Sequence, residues 1–282
     1  MKYDLKQMLR QADENGYAVP AFNYSDIWEL KGILAAAKEM AAPVIVATNS
    51  QVSATVSIPW LGALGEVFMG ESEIPVINHL DHCRKPELCF EAIDHGYASV
   101  MIDGSALPLE ENIEISRTVA EYAAGKGVCV EAEVGRIRGS NVEGTYLGDD
   151  FLVDVDDAVA MAERTGVDSL AVGIGNAHGF YTGKPQLNFE RLKEVNDAVK
   201  IPLVLHGGTG IPEHDIRKAI KNGINKVNIG TQMHFSYLEA LKKELSDGRK
   251  RTNIVEAMQP VVEAVKVEAK QWIINCMADG KA

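Results

Sequence analysis

The sequence predicts an α/β chain folded as a single closed (β/α)8 barrel spanning residues 1–282, with an extra helix at the C-terminal end. Three observations predict it. Short apolar, β-branched runs recur along the chain, helix-like segments separate them, and polar residues collect where each run ends. Strands that alternate with helices pair in parallel, and strands covered on both faces read as nearly unbroken apolar runs. A doubly wound open sheet competes, but this many units in a chain of this length close into a barrel.

The runs, in order, are "YAVPAF" (17–22), "PVIVAT" (43–48), "PVINHL" (75–80), "ASVMID" (98–103), "VCVEAEV" (128–134), "DSLAVGI" (168–174), "PLVLHG" (202–207) and "NKVNIG" (225–230). Between them "WELKGILAAAKEMAA" has apolar residues three and four apart, the spacing of one helix face. "PELCFEAIDHG" begins with proline and stops at Gly96, and "PEHDIRKAIKNG" repeats this with Pro212 and Gly223. "DDAVAMAERTG" opens on aspartate and stops at Gly166. Two stretches break the pattern. Residues 135–155, "GRIRGSNVEGTYLGDDFLVDV", are too long and too polar for a simple connection, which marks a functional or a disordered loop. The last helix, "EAMQPVVEAVKVEAKQWIINCMA", has more apolar surface than a tail needs, and suits packing on the barrel or a subunit contact.

A formal net charge of −12 argues against nucleic acid or an anionic membrane as the partner, since both call for clustered Lys and Arg. A small anionic ligand needs only a local site. Cys83, Cys89, Cys129 and Cys276 show no CxxC pairing and are expected as free thiols in a reducing compartment. "MKYDLKQMLRQADENG" reads as an amphipathic helix without a signal-peptide core, so a cytoplasmic protein is expected.

A barrel places its functional residues at the C-terminal ends of its strands. Asn23 follows the first run, and Asn49 and Ser50 follow the second. Asp81 and His82 follow the third, Asp103 ends the fourth, and Glu131 and Glu133 end the fifth. His178 follows the sixth, His206 ends the seventh, and Asn228 ends the eighth. Neutral imidazoles converging from separate strands suit Zn²⁺ with a position left open, so His82, His178 and His206 form the expected metal set. His79 is one residue out of phase with it and is assigned to a helix-facing position. His95, His214 and His234 lie in helical contexts and are read as structural. "HGGTG" and "NIGT" follow adjacent runs, where barrels commonly hold a phosphate on backbone N–H groups. Gly207, Gly208, Thr209, Asn228, Gly230 and Thr231 would form that cradle.

"AFNY", "HLDHC", "SVMIDGS", "VEAEVG", "DSLAVGIGNAHGFY", "IPLVLHGGTG" and "KVNIGT" resemble, in order and spacing, the class II metal-dependent ketose-bisphosphate aldolases of the fructose- and tagatose-bisphosphate type. The resemblance runs from about residue 5 to the C-terminus. It implies reversible cleavage of a ketose 1-phosphate or 1,6-bisphosphate to dihydroxyacetone phosphate and an aldehyde, in carbohydrate metabolism such as glycolysis. It implies catalytic zinc on His82, His178 and His206, with Asp81 exchanging a proton at the C4 hydroxyl. Asp103 and Glu133 match a second, looser divalent or monovalent cation position. Gly179, Gly207 to Thr209, and Asn228, Ile229, Gly230 and Thr231 match the dihydroxyacetone phosphate site, and Asn23 an asparagine near the substrate carbonyl. A homodimer or homotetramer is the implied assembly. Asp81 and His82 are neighbours, so a regular strand would send them to opposite faces, and a bend is needed to bring them together.

The departures are local. Family members acting on bisphosphates carry Asp-Pro-Arg before the last helix, with the Arg reaching the distal phosphate; here "NIV" (253–255) stands there. "GRKR" nearby is either a substitute or a solvated charge run. The mobile loop reads "RGSNVEG", Asn141 takes the place of the expected glutamate, and Glu143 becomes the candidate base. Asn49 replaces a common Ser or Thr, and Gly230 a polar or small residue. The metal and phosphate sets are intact while the aldehyde side is altered, which points to an aldehyde with no distal phosphate or with another distal group. A sugar-phosphate epimerase or isomerase, or a sugar-phosphate binder without catalysis, is the competing reading. A Schiff-base mechanism needs a lysine inside the barrel, and Lys226 begins its run at the opposite end.

Overall fold

The computed structural model describes residues 3–141, 144–146, 152–181, 183–246, 248, 250 and 252–282, and for residues 138–141 and 144–146 the backbone alone. Its centre is a closed parallel barrel of eight strands: β1 (Val19–Asn23), β2 (Val44–Asn49), β3 (Val76–Cys83), β4 (Ser99–Ile102), β5 (Cys129–Val134), β8 (Ser169–Val172), β10 (Leu203–Leu205) and β11 (Ile224–Ile229). Each falls on one of the eight apolar runs. The chain-order neighbours pair in parallel, and β11 closes on β1 with Ala21 opposite Asn228. Three more strands lie above the rim. β6 (Arg138–Asn141) and β7 (Gly144–Tyr146) form a hairpin, and β6 pairs with β9 (Ala177–His178), so Gly139 stands opposite His178. The loop singled out in the sequence is thereby tied by its backbone to a metal-ligand candidate.

Eleven helices lie among the described residues. α1 (Leu5–Asn15) starts on the Asp4 carboxylate, which accepts from Lys6 N–H, and stops at Gly16 in the left-handed region. It packs on β11 and β1 and closes the N-terminal end of the barrel. α2 (Ile27–Glu39) follows β1, and its Asp26 cap accepts from the N–H groups of Trp28 and Glu29. α10 (Thr231–Leu245) follows β11, and α11 (Ile254–Asn275) packs along both α2 and α10. The last helix thus packs on helices of its own barrel. A Cβ on Gly32 of α2 would come within 2.8 Å of the Val262 carbonyl oxygen, so only glycine allows this approach of α2 to α11.

The barrel interior is not uniformly apolar. Met101, Ala171 and Val204 form a small apolar layer separate from the large core between strands and helices. Around it Lys226, His79, Glu131, Ser99 and Ser169 are buried inside. His79 therefore faces inward, not toward a helix. It shares the parity of Asp81, and the side chain that faces out is Asn78, packed against Gly65 of α4 (Ile58–Glu71). All four cysteines are free and buried. No single helix among the described residues is long and apolar enough to cross a membrane.

Candidate active site

Two cavities bracket the barrel. The larger, about 330 Å³, is lined by Tyr3, Val76, Tyr97 and Val128 near the strand N-termini. The other, about 160 Å³, opens at the C-terminal ends and gathers the sequence-predicted substrate residues apart from Ser50, Gly208 and Ile229. Chemistry, not volume, separates them, for the smaller one contains four histidines and an aspartate.

The metal set forms where β3 bends. His82 has φ +48°, and the β3–β4 register shifts between Leu80 and Cys83. This is the bend that the adjacency of Asp81 and His82 requires, and it brings both side chains to one site. His82, His178 and His206 present nitrogens that all lie within 4.8 Å of one another. Their rings meet edge to face, with centroids 4.6 Å apart for His82 and His206 and 5.0 Å for His82 and His178.

The partners of each ring fix which nitrogen faces the site. His82 Nδ1 lies 3.1 Å from Asp103 Oδ2, and an ionised carboxylate only accepts, so Nδ1 holds the proton. His206 Nε2 lies 2.9 Å from Glu131 Oε1 and donates likewise. The remaining nitrogens, His82 Nε2 and His206 Nδ1, face each other at 2.9 Å with only lone pairs to offer. Two lone pairs at that separation repel, a cation held against both relieves the repulsion, and carboxylate-backed imidazoles are the usual way to hold one. Burial lowers the pKa of His206, and of His178 well below the ordinary value, which keeps the rings in the neutral form a metal requires. The donor set fits a divalent metal. Asp103 and Glu133 join His82 in a second possible donor group. Asp103 thus has two readings, as a cation ligand and as the carboxylate that orients His82; its other oxygen accepts from Ser105 N–H and hydroxyl.

Beneath His206 lies a chain of contacts that sequence reading did not assemble. Glu131 Oε2 is 2.7 Å from Lys226 Nζ, and Lys226 Nζ is 3.4 Å from His79 Nε2. His79 Nδ1 is 2.8 Å from Ser99 Oγ. Burial and the Lys226 charge push the His79 pKa down to about 3, so it is neutral. Lys226 is fully buried inside the barrel, which corrects its placement at the far end. Its ammonium is ion-paired below the metal set, and the parity of "NKVNI" put it on the same face as Asn228.

Asp81 is held from two sides. Asn23 Nδ2 donates to Oδ2 at 2.9 Å and Asn228 Nδ2 donates to Oδ1 at 3.1 Å. Burial opposes its ionisation, but His82, His206, His79 and Lys226 outweigh burial and hold the carboxyl well below the usual range. The result is an oriented carboxylate beside the metal set, able to take or return a proton.

The cradle is built from backbone. Gly207 has φ +65°, and a Cβ there would sit 2.1 Å from the Ala177 carbonyl oxygen. Gly208 N–H is spent on the Asn228 carbonyl, and Thr209 Oγ1 accepts from Gln232 N–H, tying the two halves together. Ile229 is fully buried in the core, so its side chain plays no part in the site. Ser50 starts α3 (Ser50–Val56), and Asn49 caps that helix with its side-chain Oδ1, which accepts from Gln51 N–H and Val52 N–H. Gly230 is explained by crowding, because a Cβ would come within 3.3 Å of Asn23 Oδ1. Glu143 lies outside the described residues, as do Arg249 and Arg251 of the charge run. At the place of the missing arginine, Ile254 and Val255 are exposed.

Known proteins bear on this arrangement. A model of the family described as "Fructose-bisphosphate aldolase class-II" matches residues 3–281. The sulfofructosephosphate aldolase of Alkalicoccus urumqiensis is 36% identical over 278 residues, covering 98% of this chain and 97% of the relative. The crystal structure of the YdjI aldolase from Escherichia coli K12 superposes with a TM-score of 0.88 at 36% identity, covering 99% of this chain and 98% of that one. A fructose-bisphosphate aldolase from Campylobacter jejuni, 22% identical with a TM-score of 0.83 over 99% of this chain and 95% of that one, shares the fold. The chain belongs to the class II fructose-bisphosphate aldolase family. It is an aldolase, a carbon–carbon lyase of that class.

Proposed function

We propose that this enzyme cleaves, reversibly, a ketose 1-phosphate whose far end holds an acid group other than phosphate. The products are dihydroxyacetone phosphate and the matching aldehyde. The observation that carries this reading is the pairing of an intact rim with an altered distal side. The three histidines, Asp81 and the glycine cradle converge, while the place of the distal-phosphate arginine is taken by Asn253, Ile254 and Val255. That a 36% identical relative acts on a sulfofructose phosphate supports a non-phosphate distal group.

His82, His178 and His206 would hold a divalent cation, zinc in this reading, with Asp103 and Glu133 offering a second cation position. The bound cation would supply Lewis-acid stabilisation of the negative charge that develops on the ketose oxygens as the C3–C4 bond breaks. Asp81 takes the C4 hydroxyl proton, and Asn23 and Asn228 keep its carboxylate turned to the substrate. Glu131, backed by Lys226, holds His206 in the tautomer that turns Nδ1 to the site. Backbone N–H groups at Gly207 and at the start of α10 bind the 1-phosphate, where the helix N-terminus favours an anion. The loop base that moves the C1 proton is Glu143 in this reading.

The test is condensation of dihydroxyacetone phosphate with a panel of aldehydes, products identified by mass, before and after dialysis against a chelator. Activity should vanish with the chelator and return with Zn²⁺. Full activity in a metal-free sample refutes the metal assignment, and no product with any aldehyde refutes the reaction.

A further inference from the structure

His234, read from the sequence as a structural helix residue, lies on the wall of the site. It stands in the first turns of α10, its side chain is one-third exposed, and it lines the same cavity as Asn23, Asn49 and Thr231. Its Nδ1 is 2.8 Å from Oε1 of Glu29, the third residue of α2. Glu29 is 2% exposed, and its other oxygen accepts from Ser25 N–H at 2.8 Å. A buried carboxylate is held ready, and its partner imidazole opens into the site. With Nδ1 spent on Glu29, the remaining donor is Nε2–H.

The charge on this ring follows from its neighbours. Burial would lower the His234 pKa, but the Glu29 hydrogen bond and the charges of Glu29 and Asp26 outweigh burial and raise it. Asp26 is itself engaged, accepting from the Tyr237 hydroxyl at 2.5 Å. Among the described residues lining the cavity, His234 is the sole basic side chain outside the metal set. Its position in the rim matters too. His234 stands one turn beyond Thr231 of the cradle, and its hydrogen bond to Glu29, which follows β1, turns the ring toward the side where Asn23 and Asp81 lie. That is where the aldehyde half must sit if Asp81 exchanges the C4 proton.

We infer that His234, oriented by Glu29, recognises the terminal acid group of the aldehyde half and sets the enzyme's preference for an anionic aldehyde. This rests on the function proposed above and names the residue that supplies the distal contact. One imidazolium N–H aimed at an oxyanion is a charge-assisted hydrogen bond, the stronger kind.

The test compares His234→Gln with the parent in condensation of dihydroxyacetone phosphate with hydroxyaldehydes ending in sulfonate, in phosphate or in hydroxyl. The variant should show a KM for the preferred acid aldehyde raised about tenfold or more. Its KM for dihydroxyacetone phosphate and its kinetics with the hydroxyl aldehyde should stay at parent values. The sulfonate and phosphate arms show which acid His234 favours. Equal loss on acidic and neutral aldehydes, a raised KM for dihydroxyacetone phosphate, or no change overturns the inference. Should His234→Gln fail to fold, His234→Lys keeps a cation there, and it must retain the parent's preference for the acid aldehyde. If the parent condenses no aldehyde, the proposed function fails instead, so the two failures are distinct.

Discussion

Asp81 has one geometry for one task. Both carboxylate oxygens accept a side-chain amide, and neither amide can take a proton, so the group is positioned without being neutralised. Replacing it with alanine should lower carbon–carbon cleavage by about 10²- to 10⁴-fold, the usual contribution of a positioned acid–base group. Zinc content and dihydroxyacetone phosphate binding should persist; parent-level cleavage by Asp81→Ala contradicts the role. Glu131 acts one step further out. Its hydrogen bond to His206 sets which nitrogen faces the site, and loss of such a partner weakens metal binding by about 10- to 100-fold. Glu131→Gln should show that loss in a titration against a chromophoric chelator, and unchanged affinity rules out the orienting role. Asp81 and the three histidines were legible because polar residues at strand ends stand out against apolar runs. Glu131, Lys226 and His79 were not, because their meaning lies in contacts across the barrel interior, between residues 20 to 147 positions apart. Strand parity could have placed all three inward. His234 was hidden for another reason: a histidine on a helix has no phase signal that separates a rim position from a buried one.

Among the elements, each barrel strand was legible from its β-branched run, and the helix stops at Gly16 and Gly166 from glycine placed where the backbone turns left-handed. What the runs did not reveal was the bend at His82. A non-glycine residue at positive φ is costly, and here the cost is met by bringing two neighbouring side chains to one site. Nor did they reveal that the long polar loop forms a hairpin paired to β9, since "RGSN" has little strand propensity of its own. Packing of α11 on α2 depends on the missing side chain at Gly32. Gly32→Ala would force the Val265 side chain and the Val262 carbonyl aside, and such overpacking costs about 1–3 kcal/mol. Thermal unfolding should therefore begin several degrees lower in Gly32→Ala; an unchanged midpoint would mean that the two helices yield freely. Because α2 also holds Glu29, this packing bears on the site wall as well as on stability.

Over the whole molecule, the barrel sorts its chemistry by depth. Apolar packing between strands and helices supplies the core, and an ion-paired layer beneath the rim orients the histidines. The rim gathers Asp81, the three histidines of the candidate metal set and the glycine cradle around one cavity. In the proposed function the cradle side of that cavity stays constant while the aldehyde side varies. The departures at Asn141, Asn49, Gly230 and residues 253–255 all fall outside the three histidines of the candidate metal set, which is why substrate preference rather than reaction type is expected to have shifted. The most direct measurement of that claim is kcat/KM for cleavage of sulfofructose 1-phosphate and of fructose 1,6-bisphosphate by the same zinc-loaded enzyme. The sulfonated ketose phosphate should be the better substrate. A preference for the bisphosphate of about 100-fold or more, roughly 2.7 kcal/mol of transition-state discrimination, would contradict it.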